Sequence, residues 1–204
     1  VRETLDRKGV LLVVPEGMDA TWSIDHMGLK DSHRDEVAFV DQVLEKTRQT
    51  FPVDDSRVYV SGFSLGASLV YTLACQRADV FAAAAPMSGG FWLPIPAQCA
   101  GPEIPLCHIH GRNDITWPFE GGRVLQQGDE EGTHAAVEDD VAFWREHNAC
   151  GDSSVERQTD VLTCQVWDDC AGESEVGLCT HDGGHERFDG WAERELEWML
   201  RFSR

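Results

Sequence analysis

The run Gly62-Phe63-Ser64-Leu65-Gly66 has the form G-x-S-x-G, and its setting gives it chemical meaning. An apolar stretch with strand character, Arg57 to Ser61, leads into it, and small residues with helical character follow from Leu65 through Cys75. A serine on a sharp strand-to-helix turn carries its hydroxyl clear of the backbone, which is what a nucleophile needs. The amide of Leu65, at the start of that helix, then points where an oxyanion would form. Because a serine hydroxyl is weakly nucleophilic at neutral pH, it requires a base within hydrogen-bond reach and a third group to fix that base.

Two later positions fit those roles. Asp114 closes His110-Gly111-Arg112-Asn113-Asp114, just after the strand-like LCHIH, so a carboxylate stands at a strand's C-terminal end. His185 lies beyond the strand-like VGLCT, and the preceding Gly183 and Gly184 let its loop present an imidazole. Ser64, Asp114 and His185 therefore form a candidate acyl-transfer triad, with His181 as a rival base that sits closer to its strand. His108 and His110 alternate along one strand and face the same side. With no carboxylate at a metal-site spacing they read as structural histidines, and no metal or organic cofactor is expected. Trp22, Phe63, Phe91, Trp92, Trp117 and Phe188 are candidates for apolar walls around an acyl or aryl group, with core packing as the competing role.

The elements that must position these residues alternate. Val10 to Val14 (VLLVV), bounded by Gly9 and Pro15, reads as a buried strand, and Asp35 to Phe51 has helical spacing that Pro52 ends. Residues 81–86 and 106–110 are short apolar strands, and 138–148 repeats a helical pattern. Residues 161–167 and 175–180 are strand-like, and 190–202 closes with an amphipathic helix through Trp191, Leu196, Met199 and Phe202. Strands alternating with helices predict an α/β protein: a mostly parallel sheet with helices on both faces, in one domain over residues 1–204.

Composition narrows the class. The 204 residues carry 36 acidic side chains against three lysines (Lys8, Lys30, Lys46) and a formal charge of -19, a field that disfavours nucleic acid and anionic membranes. No apolar run has the length of a membrane span, and no charged-then-apolar leader opens the sequence, as in a chain whose leader has been removed. Seven cysteines, none in a C-x-x-C pair, favour disulfides over zinc and an oxidising compartment, secreted or periplasmic. Cys107, in the apolar run Pro105 to His110, is the odd member.

The segments VVPEG (13–17), DEVAFVDQVLEKTRQTFPVDDSRVYVSGFSLGASLVYTLAC (35–75), FAAAAPMSG (81–89), HIHGRND (108–114) and GGH (183–185) resemble the α/β-hydrolase esterase family of secreted polyhydroxybutyrate depolymerases, feruloyl esterases and acetylxylan esterases. That resemblance covers most of the chain. It implies an α/β-hydrolase fold and hydrolysis of small or polymeric carboxylic esters through an acyl-enzyme on Ser64, His185 and Asp114. It also implies disulfides Cys75–Cys99, Cys150–Cys164 and Cys170–Cys179. The chain departs from the family in two places. Glu186-Arg187-Phe188-Asp189-Gly190 follows the histidine, where relatives often have a Trp-Pro-Gly-like stretch. The family's first strand, whose His-Gly loop supplies a second oxyanion amide, has no counterpart in this sequence, which leaves three alternatives: the chain is a fragment, Glu16, Gly17 and their neighbours rebuild that hole, or activity is low. A competing expectation is a weak or inactive module that binds polysaccharide or polyester.

The acidic surface, read as an adaptation to high salt, predicts that thermal stability and activity hold or rise between low and molar salt, as screening relieves self-repulsion. A fall in both across a salt titration removes that reading.

Overall fold

A computed structural model describes residues 2–24, 34–124 and 132–204. Helix α1 (Arg2–Lys8) ends at Gly9, whose φ of +66° suits a residue without Cβ. Helix α2 (Glu36–Thr50) starts on Asp35, which accepts the Ala38 amide, and Pro52 follows its end. Strand β1 (Tyr59–Phe63) runs into α3 (Leu65–Arg77), followed by β2 (Ala83–Met87), β3 (Leu106–Gly111) and the short hairpin β4 (Gly122–Arg123) and β5 (Thr133–His134). Helix α4 (Val137–His147), β6 (Val155–Gln158), β7 (Thr163–Trp167), β8 (Val176–His181) and α5 (Trp191–Met199) complete the order.

The main sheet has the order β1-β2-β3-β8-β7-β6. β1, β2, β3 and β8 are parallel, and β7 and β6 add an antiparallel edge. Side-chain alternation along β3 divides its residues between two layers. Leu106 packs with α3 and α4 through Val70, Leu73, Val141 and Trp144, whereas Cys107 and Ile109 lie on the face that Trp191 and Trp198 of α5 cover. This is the expected parallel sheet with helices on both faces. Among the described residues no helix is long and apolar enough to cross a membrane.

The sequence reading needs correction at Val10 to Val14. These residues join no sheet, and Leu12 and Val14 are 58% and 75% exposed. An apolar β-branched run carries strand propensity, but a strand also requires a ladder partner. Among the described residues this segment has none, and β1 is the outermost strand of the sheet.

Two of the implied disulfides exchange partners as well. The bridges are Cys75–Cys99, Cys150–Cys170 and Cys164–Cys179, with Cys107 a buried free thiol. The ladder dictates one of them, because antiparallel pairing of β7 with β8 sets Cys164 directly opposite Cys179. Cys150 and Cys170 meet because the chain after α4 is laced to the stretch before Ala171 by Gly151 N–H to Asp169 O and Ala171 N–H to Asn148 O.

Glu195 on α5 is buried against β1, where the Ser61 hydroxyl donates to its Oε2 at 2.7 Å. Burial pushes its carboxyl up to about 8 despite that hydrogen bond. The folded chain thus keeps a proton that an unfolded glutamate releases near 4.5. This contribution to stability is complete below that value and is lost progressively as pH rises to about 8, on the order of a few kcal/mol. Glu195→Gln, neutral throughout, removes that slope. Its Tm relative to the parent should climb between about pH 5 and pH 8, and parallel Tm curves would contradict the assignment.

Candidate active site

Ser64 occupies the junction between β1 and α3 with φ 57° and ψ -125°, a conformation costly for a residue with Cβ. Its surroundings hold it there. The Ser64 amide donates to Met87 O at 2.9 Å, and Ser64 O accepts the Ala67 and Ser68 amides at 2.8 and 3.3 Å. A Cβ on Gly62 would lie 2.3 Å from Gly66 O, and one on Gly89 would lie 2.2 Å from Ser64 O. Gly62 and Gly89 therefore permit the tight approach of strand, turn and helix. A Cβ on Gly66 meets nothing within 4 Å, so the second glycine of the motif is not required sterically. Gly89, on the loop after β2, lies outside the motif and would be missed by any pattern search confined to it.

The carboxylate and the imidazole arrive from adjacent parallel strands. The turn after β3 and the loop after β8 interlock: Arg112 N–H donates to His181 O at 2.8 Å, Asn113 N–H to Gly183 O at 3.0 Å, and Asn113 Nδ2 to Asp182 O at 2.7 Å. A Cβ on Gly111 would stand 2.3 Å from Gly184 O, so the two backbones are as close as glycine allows. Asp114 Oδ1 accepts the amides of Thr116 and Trp117 at 2.9 and 2.7 Å, and Oδ2 accepts His185 Nδ1–H at 2.7 Å. Ser64 Oγ–H lies 2.9 Å from His185 Nε2. Burial raises the Asp114 carboxyl, but the His185 hydrogen bond, the Trp117 amide and the nearby imidazoles outweigh it and hold the group below its ordinary value.

The structure thus brings Ser64, His185 and Asp114 into one hydrogen-bonded series. Leu65 opens α3 directly beside Ser64. His181 is turned elsewhere: it is buried, its Nδ1 accepts the Gly183 amide at 3.1 Å, and its ring lies against Phe188. Glu16 and Gly17 flank a turn closed by Thr21 N–H to Met18 O, with Glu16 O taking a hydrogen bond from Arg34.

The aromatic residues divide. Phe63 is partly exposed, with its ring 4.8 Å from the His185 imidazole. Trp22 is half-buried at the core's edge, beneath the Arg34 guanidinium. Phe188 is partly exposed, against the His181 ring, whereas Phe91, Trp92 and Trp117 are not walls of an open site. Phe91 packs edge-on to Tyr71, and Trp92 and Trp117 pack on each other, all deep in the core. The loops that carry them turn inward. Leu93 N–H donates to Thr133 O and Ala135 N–H to Phe91 O, which ties the chain after β2 to the β5 segment.

His108 and His110 are fully buried, and both nitrogens of each ring have hydrogen-bond partners, which leaves neither ring a free lone pair for a metal. Among the described residues no group of three metal-capable side chains is assembled.

Sheet order, strand-to-helix turn and the positions of these residues at the strand ends define an α/β-hydrolase fold. The chain matches the phospholipase/carboxylesterase family over residues 17–154, more than half its length, and it belongs to that family. It is 28% identical over 179 residues to feruloyl esterase C of Emericella nidulans, covering 86% of this chain and 57% of that protein. Similarity to feruloyl esterase B of Piromyces equi is 30% over 166 residues, or 76% of this chain and 30% of the other. Acetyl xylan esterase from Aspergillus awamori superposes with a TM-score of 0.59 at 15% identity, covering 88% of this chain and 73% of that one. At that identity the likeness concerns the fold.

Gly89→Ala forces a methyl into the Ser64 carbonyl and the Ala67 side chain. Overpacking of this kind costs about 1–3 kcal/mol, and Tm should fall by roughly 3–10 °C. An unchanged Tm would show that the turn tolerates displacement.

Proposed function

We propose that the chain is a serine esterase that hydrolyses carboxylic esters through an acyl-enzyme. The observation that carries this reading is the unbroken series Ser64 Oγ–H to His185 Nε2 (2.9 Å) and His185 Nδ1–H to Asp114 Oδ2 (2.7 Å). As Ser64 Oγ bonds to the ester carbonyl carbon, its proton passes to His185 Nε2. The carbonyl oxygen becomes an oxyanion beside the Leu65 amide. Asp114, ionised and fixed by two backbone amides, holds the imidazole with Nδ1 protonated and stabilises the imidazolium that forms. Collapse of the tetrahedral species breaks the C–O bond, and the departing alkoxide takes the proton from Nε2. Water then repeats the sequence on the acyl-serine, yielding the acid and free enzyme.

Phe63 beside the imidazole provides an aromatic wall suited to a short acyl or aryl group, in keeping with the feruloyl and acetylxylan esterases among the relatives. The polyhydroxyalkanoate class stays within the same substrate range. The three disulfides suit an oxidising compartment, so a secreted or periplasmic setting belongs to the same reading.

Ser64→Ala should lower turnover of p-nitrophenyl acetate, p-nitrophenyl butyrate and methyl ferulate by at least about 1000-fold. A phosphonate serine reagent should add a single mass to the parent and none to the variant. Retained turnover overturns the mechanism. Binding of polymer by the parent with neither turnover nor adduct would instead mark a binding module.

A further inference from the structure

Behind Asp114 lies a second series of hydrogen bonds, wholly inside the core, that the proposed mechanism does not use. Tyr71 Oη is 2.6 Å from His108 Nδ1, and His108 Nε2 is 2.9 Å from His110 Nδ1. His110 Nε2 is 2.8 Å from Trp117 O and 3.5 Å from Asp114 Oδ2. The side chains of Tyr71, His108 and His110 come from the middle of α3 and two positions on one face of β3, and none is exposed.

Hydrogen-bond chemistry determines where each proton sits. A carbonyl oxygen only accepts, so His110 Nε2 carries the proton directed at Trp117 O. Burial keeps both imidazoles neutral, with the His108 pKa depressed well below its ordinary value and that of His110 down to about 4. Each ring then has one N–H. His110 Nδ1 must accept, so His108 donates from Nε2. His108 Nδ1 must in turn accept, and Tyr71, whose phenol burial keeps protonated, donates to it. The chain runs one way, from the phenol to the Trp117 carbonyl.

We infer that His110 is a positioning residue for Asp114, acting through Trp117: its Nε2–H is held on the Trp117 carbonyl by donation from Tyr71 through His108. Trp117 ties the pair together, since its carbonyl takes the His110 proton and its amide donates to Asp114 Oδ1. Asp114 is thereby braced through Oδ1, by the residue whose carbonyl the His110 ring anchors. The His110 ring also stands 3.5 Å from Oδ2, the oxygen that accepts from His185. The titratable groups around His110 are His108 on its own strand, Asp114 on the following turn, His134 on β5 and His185 on the loop after β8. This inference rests on the reading of Ser64, His185 and Asp114 as the triad.

Nitrogen-15 NMR of the intact protein at neutral pH tests the chain without substitution. Both His108 and His110 should show a protonated Nε2 and a bare Nδ1, and a protonated Nδ1 on either ring overturns the inference. Kinetics test the positioning role. His110→Phe, which removes the donor, should lower kcat about 10–100-fold with KM changed less than about twofold, and move the acid limb of kcat/KM upward by about half a pH unit. His110→Gln keeps a donor near Nε2 and should recover to within about fivefold of the parent. Tyr71→Phe deletes one oxygen and should act in the same direction with a kcat loss of about twofold to fivefold. A folded His110→Phe with parental kcat and an unmoved limb, or a His110→Gln no better than His110→Phe, overturns the role. If His110→Phe fails to fold, parental kinetics in Tyr71→Phe does so. Retained turnover in Ser64→Ala removes the triad reading itself, whereas loss there with an unmoved limb in His110→Phe removes only this inference.

Discussion

The site depends on the backbone lock between the turn that follows β3 and the loop that follows β8. Parallel pairing from Leu106 opposite Val176 to Gly111 opposite His181 brings both strands to the same edge together. Beyond that edge, amides of 112 and 113 donate to carbonyls of 181 and 183, and Gly111 admits the Gly184 carbonyl where a side chain would collide. A carboxylate and an imidazole separated by 71 positions are thus fixed by main-chain contacts, and no long side chain has to reach between them. The Asp114–His185 distance is set before either side chain chooses a rotamer.

The serine is placed by a different device. Its turn is strained, and the strain is held by packing of β2, its following loop and α3 around the Ser64 peptide. The aromatic residues after β2 and β3 contribute as core that stiffens the loops, and Phe63, partly exposed, lies tilted against the imidazole.

Much of this was legible in the sequence because it depends on local signals. The small-residue helix after G-x-S-x-G, and the glycines before His185, each announce a turn at a strand end, and the chain order of the three polar residues follows. What escaped depends on partners. Val10 to Val14 has the composition of a buried strand, but among the described residues it pairs with no neighbour. The pairing of Cys164 with Cys179 follows from the register of two antiparallel strands, which spacing along the chain does not encode. Phe91, Trp92 and Trp117 are on loops, and only the inward course of those loops, set by bonds to the Thr133 to Ala135 segment, makes them core. The histidines of β3 show in the sequence as a pair on one strand face, but their link to Asp114 passes through Trp117, whose carbonyl has no sequence signature.

The free thiol has a consequence for the covalent framework. Cys107 Sγ lies 3.7 Å from Cys179 Sγ, within striking distance of a bridge that staples β8 to β7. Attack there would expel Cys164 and move the bond to Cys107, a rearrangement that needs no oxidant. Burial, reinforced by the charges of Glu175 and Glu195, pushes the Cys107 thiol up to about 12. Near neutrality the nucleophilic thiolate is then scarce. The same dry layer that packs α5 on the sheet thus keeps bridge shuffling slow, and strongly alkaline solution is the condition that lifts this protection.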